Sequence, residues 1–171
     1  ANQKGGVGKT TVAMSLISSL SRRGYRTLGI DMDPQGSLGF CAGLDIENSH
    51  TIYEVLKGEV PIRDAVCQAE WGDFLLSNIL LSTLGEERNT FGRETMLRDA
   101  LREIRDDYDF IIIDTPPGLS ILTTNAYSAA DCLLIPTKPN ILEVLAVSQI
   151  RETIKELHKS INPDLKVLGI L

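Results

Sequence analysis

A glycine-rich segment near the start of the chain has the residue types that phosphate binding requires. It reads Lys4-Gly5-Gly6-Val7-Gly8-Lys9-Thr10-Thr11. Glycines allow positive φ angles and bring backbone N–H groups close to a ligand, and the N-terminus of a following helix adds unpaired N–H groups and partial positive charge. Lys9 can reach the β- and γ-phosphates of a nucleotide, and the Thr10 hydroxyl can bind Mg²⁺. The segment therefore predicts a nucleotide-binding loop.

Carboxylates follow two apolar runs elsewhere in the chain. Asp33 lies in the sequence Ile30-Asp31-Met32-Asp33-Pro34-Gln35-Gly36, and Asp114 ends the run Phe110-Ile111-Ile112-Ile113-Asp114. A carboxylate at the carboxyl end of a parallel strand points to the crevice where such sheets bind ligands, and an apolar strand ending in Asp is the usual way to deliver a carboxylate to Mg²⁺. Asp31 is expected either to support this site or to cap the turn before the proline.

The glycine-rich loop departs from the ordinary pattern G-x-x-x-x-G-K-[ST]. Gln3 stands where the first glycine is expected, and an additional lysine, Lys4, precedes the glycines. In this respect the loop resembles the deviant Walker A ATPases of the ParA/MinD group. The resemblance implies ATP and Mg²⁺ as cofactors, with the nucleotide bound by the eight loop residues 4–11.

The resemblance also implies roles for individual residues. Lys4, Lys9 and Asp33 are the expected catalytic residues, with Lys4 reaching the nucleotide of a partner subunit across an ATP-dependent homodimer. Asp33 is expected to act on the attacking water and in the Mg²⁺ shell. The expected metal ligands are Thr10, Asp33 and Asp114.

Strands and helices alternate along the chain and can position these residues. Helical spacing is predicted over Thr11–Arg23, at Met96–Ile104 and at Leu142–Leu157, with a shorter helix at Ile52–Leu56. Strands are predicted at Arg26–Ile30, Phe110–Ile113, Cys132–Ile135 and Lys166–Leu171, and another near Asp73–Leu76. The continuous apolar run before Asp114 is typical of a strand buried on both faces. The pattern predicts an α/β fold with a mostly parallel sheet and helices on both faces, and the resemblance of the loop implies that this is the three-layer P-loop NTPase fold.

The D-x-D-P-Q-G sequence and the segment Thr51–Gly58 are similar to ParA/Soj partitioning ATPases. The function that this implies is a slow Mg²⁺-dependent ATPase in plasmid or chromosome partitioning, which binds non-specific DNA as the ATP dimer and is stimulated by a ParB-like partner. The alternatives are a MinD-like or other cargo-positioning ATPase acting on a membrane or protein scaffold, a metabolic phosphate-transferring enzyme, and a non-hydrolysing scaffold.

Composition agrees with a globular ATPase domain. The chain has 171 residues and a net charge of −6, which argues mildly against strong DNA binding by this segment alone. We expect one domain spanning residues 1–171, incomplete at both ends, since no strand precedes the loop and the last strand ends with the chain. Cys41, Cys67 and Cys132 are expected to be reduced, buried thiols of a cytoplasmic, nucleoid-associated protein, and no membrane attachment is expected.

Overall fold

The structure is a computed structural model that describes residues 5–85, 92–137, 152, 154–156, 159 and 161–171. The strands are β1 (Thr27–Asp31), β2 (Val66–Ala69), β3 (Gly72–Leu75), β4 (Phe110–Asp114), β5 (Cys132–Ile135) and β6 (Lys166–Ile170). The α-helices are α1 (Lys9–Arg22), α2 (Ser37–Cys41), α3 (Ile52–Leu56), α4 (Ile62–Ala65), α5 (Met96–Leu101) and α6 (Ile121–Ala129). Short 3₁₀ helices cover Ile79–Gly85, Arg93–Thr95 and Arg105–Asp107.

A four-stranded sheet in the order β2-β3-β1-β4 forms the larger part of the described fold. β1 pairs in parallel with both β3 and β4, whereas β2 pairs with β3 as an antiparallel hairpin. β5 and β6 pair in parallel in a second sheet. The predicted fold class, a mostly parallel sheet flanked by helices, is confirmed, and the antiparallel edge strand β2 is an addition that the sequence analysis did not predict.

Close packing of α1 on the sheet places the glycine-rich loop beside the carboxyl ends of the strands. All five residues of β1 are buried. A Cβ at Gly29 in this strand would lie 2.6 Å from Ile17 Cδ1 of α1 and 3.0 Å from the Phe74 ring of β3. Gly29 therefore allows this close packing, because a larger residue would force the Ile17 side chain and the Phe74 ring to move.

A cavity of about 920 Å³ runs between β4 and β5. It follows β4 from Phe110 to Asp114 and is also lined by the apolar side chains of Val12, Leu16 and Leu20 of α1. Neither β4 nor β5 has a strand partner on this side among the described residues. Lys9 and Asp114, which also line this cavity, belong to the predicted site.

This cavity corrects one expectation about β4. The run Phe110–Ile113 was expected to be buried on both faces, yet Phe110 is 40% exposed and Ile111–Ile113 are only half-buried. The isoleucines border the open cavity instead of packing against a further strand. The strand itself is where the sequence analysis predicts it.

The cysteine expectation is also partly wrong. The thiols are free, but Cys41 and Cys132 are exposed and Cys67 is half-buried. Cys41 ends the short surface helix α2, and Cys132 begins the strand β5, so neither reaches a core position.

Most of the helical pattern at Leu142–Leu157 lies outside the described residues, although Ile154 is helical and buried. No helix within the described ranges is long and apolar enough to span a membrane.

Candidate nucleotide-binding site

The glycine-rich loop has the backbone conformation that its sequence predicts. Gly6 and Gly8 have φ angles of 71° and 89°, in the left-handed region that favours glycine. Gly8 is also the N-cap of α1, and the Val12 N–H donates to the Gly8 carbonyl oxygen at 2.9 Å. The helix therefore begins directly at Lys9, as an anion site at a helix N-terminus requires.

The N-terminus of α1 is open to a ligand. A Cβ built on Gly5, Gly6 or Gly8 would meet no described atom within 4 Å. Gly8 has no side chain to accept the first helical N–H groups, and the first turn contains no acidic residue. Among the described residues, the loop thus has space beside a helix N-terminus that carries partial positive charge, a combination that fits a phosphate group.

Lys9 lies within electrostatic range of both predicted aspartates. Burial lowers the pKa of its ammonium group, while the negative charges of Asp114 and Asp33 raise it. Because both carboxylates act on Lys9, the structure brings together side chains that are 24 and 105 positions apart in the sequence. The expected grouping of Lys9, Asp33 and Asp114 at one edge of the sheet is therefore present.

Asp114 has a buried oxygen suited to a cation. Asp114 is 2% exposed. Its Oδ1 accepts the Thr115 N–H at 3.0 Å, whereas its Oδ2 has no hydrogen-bond partner among the described residues. Burial raises the pKa of this carboxyl, and the Thr10 side chain, the Thr115 N–H and Lys9 lower it. An unpartnered buried carboxylate oxygen beside a threonine hydroxyl fits Mg²⁺ or one of its waters.

The number of protein ligands also suits Mg²⁺. Mg²⁺ is commonly bound by one or two carboxylates together with substrate phosphates and water. Thr10, Asp33 and Asp114 could therefore hold the ion together with a nucleotide.

Asp33 begins a tight turn after β1. Its Oδ1 accepts the Gln35 N–H at 3.0 Å, and its backbone carbonyl oxygen accepts the Gly36 N–H at 3.0 Å. One residue earlier, the Met32 N–H donates to the Asp114 carbonyl oxygen at 2.9 Å, which ties this turn to the end of β4. The two carboxylate-bearing segments are therefore connected through the backbone.

The loop after β4 is attached to the helix that follows it. Gly118 has a φ of 84°, and the Thr123 hydroxyl donates to its carbonyl oxygen at 3.0 Å. Ser120 caps α6 by accepting the Thr123 N–H at 3.4 Å. The loop after Asp114 is therefore hydrogen-bonded to the first turn of α6.

The structure describes most, but not all, of the predicted site. Gly5, Gly6, Val7, Gly8, Lys9, Thr10 and Thr11 form the loop and the first turn of α1, and Asp33 and Asp114 face them. Lys4, to which the resemblance assigns the role in the partner's site, lies outside the described residues. The roles of the individual residues in binding and hydrolysis remain predictions.

Sequence reasoning missed a polar link behind the site. Asn125 on α6 is 2% exposed; its Oδ1 accepts the Leu97 N–H at 3.0 Å, and its Nδ2 donates to the carbonyl oxygens of Arg93 and Ile121 at 2.6 and 3.0 Å. It joins the helix after the Asp114 loop to the start of α5. An asparagine inside a helical segment was the only signal, and it does not reveal the partners.

The fold is that of the P-loop NTPases. The sequence matches the family described as an AAA domain (AAA_31) over residues 1–167. The chromosome partitioning protein ParA of Myxococcus xanthus is 43% identical over the whole chain, which spans 62% of that protein. The chromosome-partitioning ATPase Soj of Thermus thermophilus is 38% identical, and the chain spans 66% of it.

Similarity to a solved structure extends to the fold. The crystal structure of cobyrinic acid a,c-diamide synthase from Mycobacterium smegmatis, with bound ADP and magnesium, superposes with a TM-score of 0.94 at 39% identity. All of the chain and 71% of that protein are covered. The chain therefore belongs to the AAA_31 family and is a P-loop ATPase of the ParA/MinD type, as its loop and D-x-D-P-Q-G sequence indicate.

Proposed function

We propose that this chain is the nucleotide-binding part of a Mg²⁺-dependent ATPase that acts as an ATP-gated dimer switch in plasmid or chromosome partitioning. The observation that carries the proposal is the position of Lys9, at the open N-terminus of α1 and within the electrostatic reach of Asp33 and Asp114. Similarity to partitioning proteins named ParA and Soj supports the biological role.

Each side chain has a defined task in this proposal. The backbone N–H groups of the loop and Lys9 bind the β- and γ-phosphates, and Thr10, Asp33 and Asp114 hold Mg²⁺. Bound Mg²⁺ supplies positive charge that offsets charge developing on the phosphate oxygens. Asp33 orients the attacking water, since it lies on the turn that faces the loop. Because Asp33 itself sits in a tight turn, small movements of that turn would change the rate of hydrolysis.

Dimerisation completes the site. We propose that Lys4 of one protomer contacts the nucleotide of the other, so that hydrolysis depends on the dimer. Phosphoryl transfer benefits from an additional cation near the transferred group, and a lysine supplied by the partner would provide it. ATP would then favour the dimer, and ADP would leave a monomer.

The dimer is proposed to bind DNA without sequence preference, in the cytoplasm and on the nucleoid, until a ParB-like partner stimulates hydrolysis. Such binding rests on phosphate contacts by Lys and Arg side chains and falls steeply with salt. Because the chain itself has a net charge of −6, these contacts would be concentrated on a local patch or on other parts of the full-length protein.

Duplex DNA binding by the full-length protein tests this proposal. The protein would be compared with ATPγS, with ADP and without nucleotide, at one moderate salt concentration and on unrelated sequences. We expect binding only with ATPγS, and weaker dimerisation and DNA binding for Lys4→Ala. ATP-dependent dimers that bind no DNA in any state would contradict the DNA step and favour a MinD-like or other cargo-positioning ATPase on a membrane or protein scaffold.

A metabolic role is the second candidate. The similarity to a structure named cobyrinic acid a,c-diamide synthase favours testing it. ATP turnover that requires cobyrinic acid and an amide donor, and that is independent of DNA and of protein concentration, would replace the partitioning proposal.

A further inference from the structure

We propose that Asp31 is a positioning residue that holds the Asp33 turn in place for catalysis, an inference that rests on the proposed ATPase function. Asp31 is the last residue of β1 and pairs in register with Asp114 of β4. Both of its oxygens are used by the backbone of the segment that carries Asp33.

The contacts of Asp31 form a clamp across the turn. Its Oδ1 accepts the Asp33 N–H at 2.9 Å, and its Oδ2 accepts the Leu38 N–H, also at 2.9 Å. Leu38 is the second residue of α2. One carboxylate therefore joins the end of β1, the turn and the start of the next helix.

The clamp replaces a helix cap that the local sequence does not provide. The N-cap of α2 is Gly36, in the left-handed conformation with a φ of 65°, and no side chain of the cap residue accepts a hydrogen bond. Asp31 supplies the acceptor from outside the helix. The negative charge also lies near the positive end of the short helix, where it is favourable.

The path of the turn is confined on its other side. A Cβ at Gly36 would lie 3.0 Å from the Ser77 carbonyl oxygen and 3.2 Å from Ile46 Cδ1. The turn thus runs between the segment after β3 and the Asp31 carboxylate. Without the Asp31 carboxylate, the turn would lose the two hydrogen bonds that hold it on this side.

A purely architectural role explains this carboxylate poorly. Asp31 is fully buried and forms no ion pair with a described residue. Burial raises the pKa of its carboxyl to about 7, although the two backbone hydrogen bonds lower it. Burying a carboxylate without a cation costs folding free energy, whereas a neutral side chain would avoid that cost. A neutral side chain would, however, lack the two acceptor oxygens that bind the Asp33 and Leu38 N–H groups.

The experiment compares full-length wild type with Asp31→Asn and with a matched control, Asp109→Asn. Asparagine keeps the shape of aspartate but has one acceptor oxygen, so it cannot accept both N–H groups. Asp109 also accepts a backbone N–H, from Arg26 at 2.8 Å, but at the opposite end of the β1–β4 pair. The measurements are kcat at saturating Mg²⁺–ATP, the Kd for ATPγS, the melting temperature, and amide hydrogen exchange of peptides that cover residues 32–40.

For Asp31→Asn we expect kcat to fall at least tenfold while the Kd for ATPγS stays within threefold of wild type. Amide exchange in residues 32–40 should accelerate, and the melting temperature should stay within a few degrees. Asp109→Asn should leave kcat and exchange in these peptides unchanged. A kcat within twofold of wild type would overturn the inference. A simultaneous loss of kcat, ATPγS affinity and melting temperature would also overturn it, because such a loss indicates a structural role.

Failure of the proposed function has a different signature. If the wild-type protein hydrolyses no ATP under any condition, the ATPase proposal fails, and the exchange comparison still tests the clamp. Unchanged exchange at residues 32–40 in Asp31→Asn would then refute the clamp by itself.

Discussion

The two ends of the β1–β4 pair use charge in opposite ways. At the amino end, Arg26 and Asp109 form an exposed ion pair at 2.9 Å, and each backbone N–H also donates to the other residue. At the carboxyl end, Asp31 and Asp114 are buried side by side, and Asp114 Oδ2 has no partner among the described residues. The hydrogen bond to Arg26 lowers the pKa of Asp109, whereas burial raises the pKa of Asp31 and of Asp114.

This difference distinguishes charged residues that link two strands from charged residues that can bind a ligand. The exposed ion pair joins the starts of two strands, and its hydrogen bonds run between the two residues themselves. A buried excess of carboxylate over cation is unfavourable for folding and becomes favourable when a cation binds. The carboxyl end is therefore suited to Mg²⁺ and phosphate, although both ends belong to the same two strands.

The largest effect on nucleotide affinity is expected from removing the Lys9 ammonium group at the carboxyl end of the β1–β4 pair. Lys9→Ala should weaken ATP binding roughly tenfold to a hundredfold, because hydrogen bonds to charged groups contribute about 1.5–3 kcal/mol each. Calorimetry or a fluorescent nucleotide measures the Kd. Lys57→Ala on the surface near α3 is the control and should bind ATP as wild type does. An unchanged Kd for Lys9→Ala would refute the assignment of the loop.

A neutral residue of the same shape at position 114 should stabilise the ligand-free protein and weaken the effect of Mg²⁺ on nucleotide binding. Asp114→Asn removes a buried charge, so the protein without nucleotide or metal should be more stable, by about 1 kcal/mol. The same change should reduce, about tenfold, the gain in nucleotide affinity that Mg²⁺ produces. Thermal melts without ligand and Kd values with and without Mg²⁺ test both parts. A Mg²⁺ dependence equal to that of wild type would contradict the proposed ligand role.

An Asp-to-Asn change at the amino end should destabilise the protein instead of stabilising it, and this should be the smallest of the expected effects. Asp109→Asn should lower the melting temperature slightly, since exposed ion pairs contribute little, and should leave nucleotide binding unchanged. The effect should also depend on pH. The pKa of Asp109 is lowered in the folded protein, so its contribution is complete above the ordinary pKa of 3.8 and disappears as the pH falls through the lowered value.

The difference in melting temperature between wild type and Asp109→Asn should accordingly be constant between about pH 8 and 5 and should vanish in stronger acid. A difference that instead grows on acidification would mean that the ion pair does not stabilise the folded state.

The sequence analysis predicted best where a pattern is local. Helix α1 and strands β1, β4, β5 and β6 agree with the predicted segments to within one or two residues, and α3 agrees at both ends. Apolar periodicity and glycines at turns report the local backbone directly, so such elements can be recognised without a fold. The hairpin of β2 was missed, because Val66–Ala69 is short and its pairing depends on β3.

Predictions about burial were weaker. Exposure depends on what a side chain meets in space, and this is why Cys41, Cys132 and Phe110 were assigned to the interior and lie at the surface. Polar links over long sequence distances were not predicted either. Asn162 donates to the carbonyl oxygens of Tyr127, Ser128 and Ala130 at the end of α6, and nothing in its sequence neighbourhood indicates these partners.

The sequence by itself determined the chemistry of this protein: a phosphate-binding loop, a lysine and two carboxylates after apolar strands, of residue types that few other functions require. Only the tertiary structure decided how that chemistry is arranged. It brought Lys9 near Asp33 and Asp114, left one oxygen of Asp114 without a hydrogen-bond partner among the described residues, and made Asp31 a clamp for the Asp33 turn. The reason is physical: motif residues act through their types, whereas desolvation and hydrogen-bond partnership arise from neighbours that are distant in sequence.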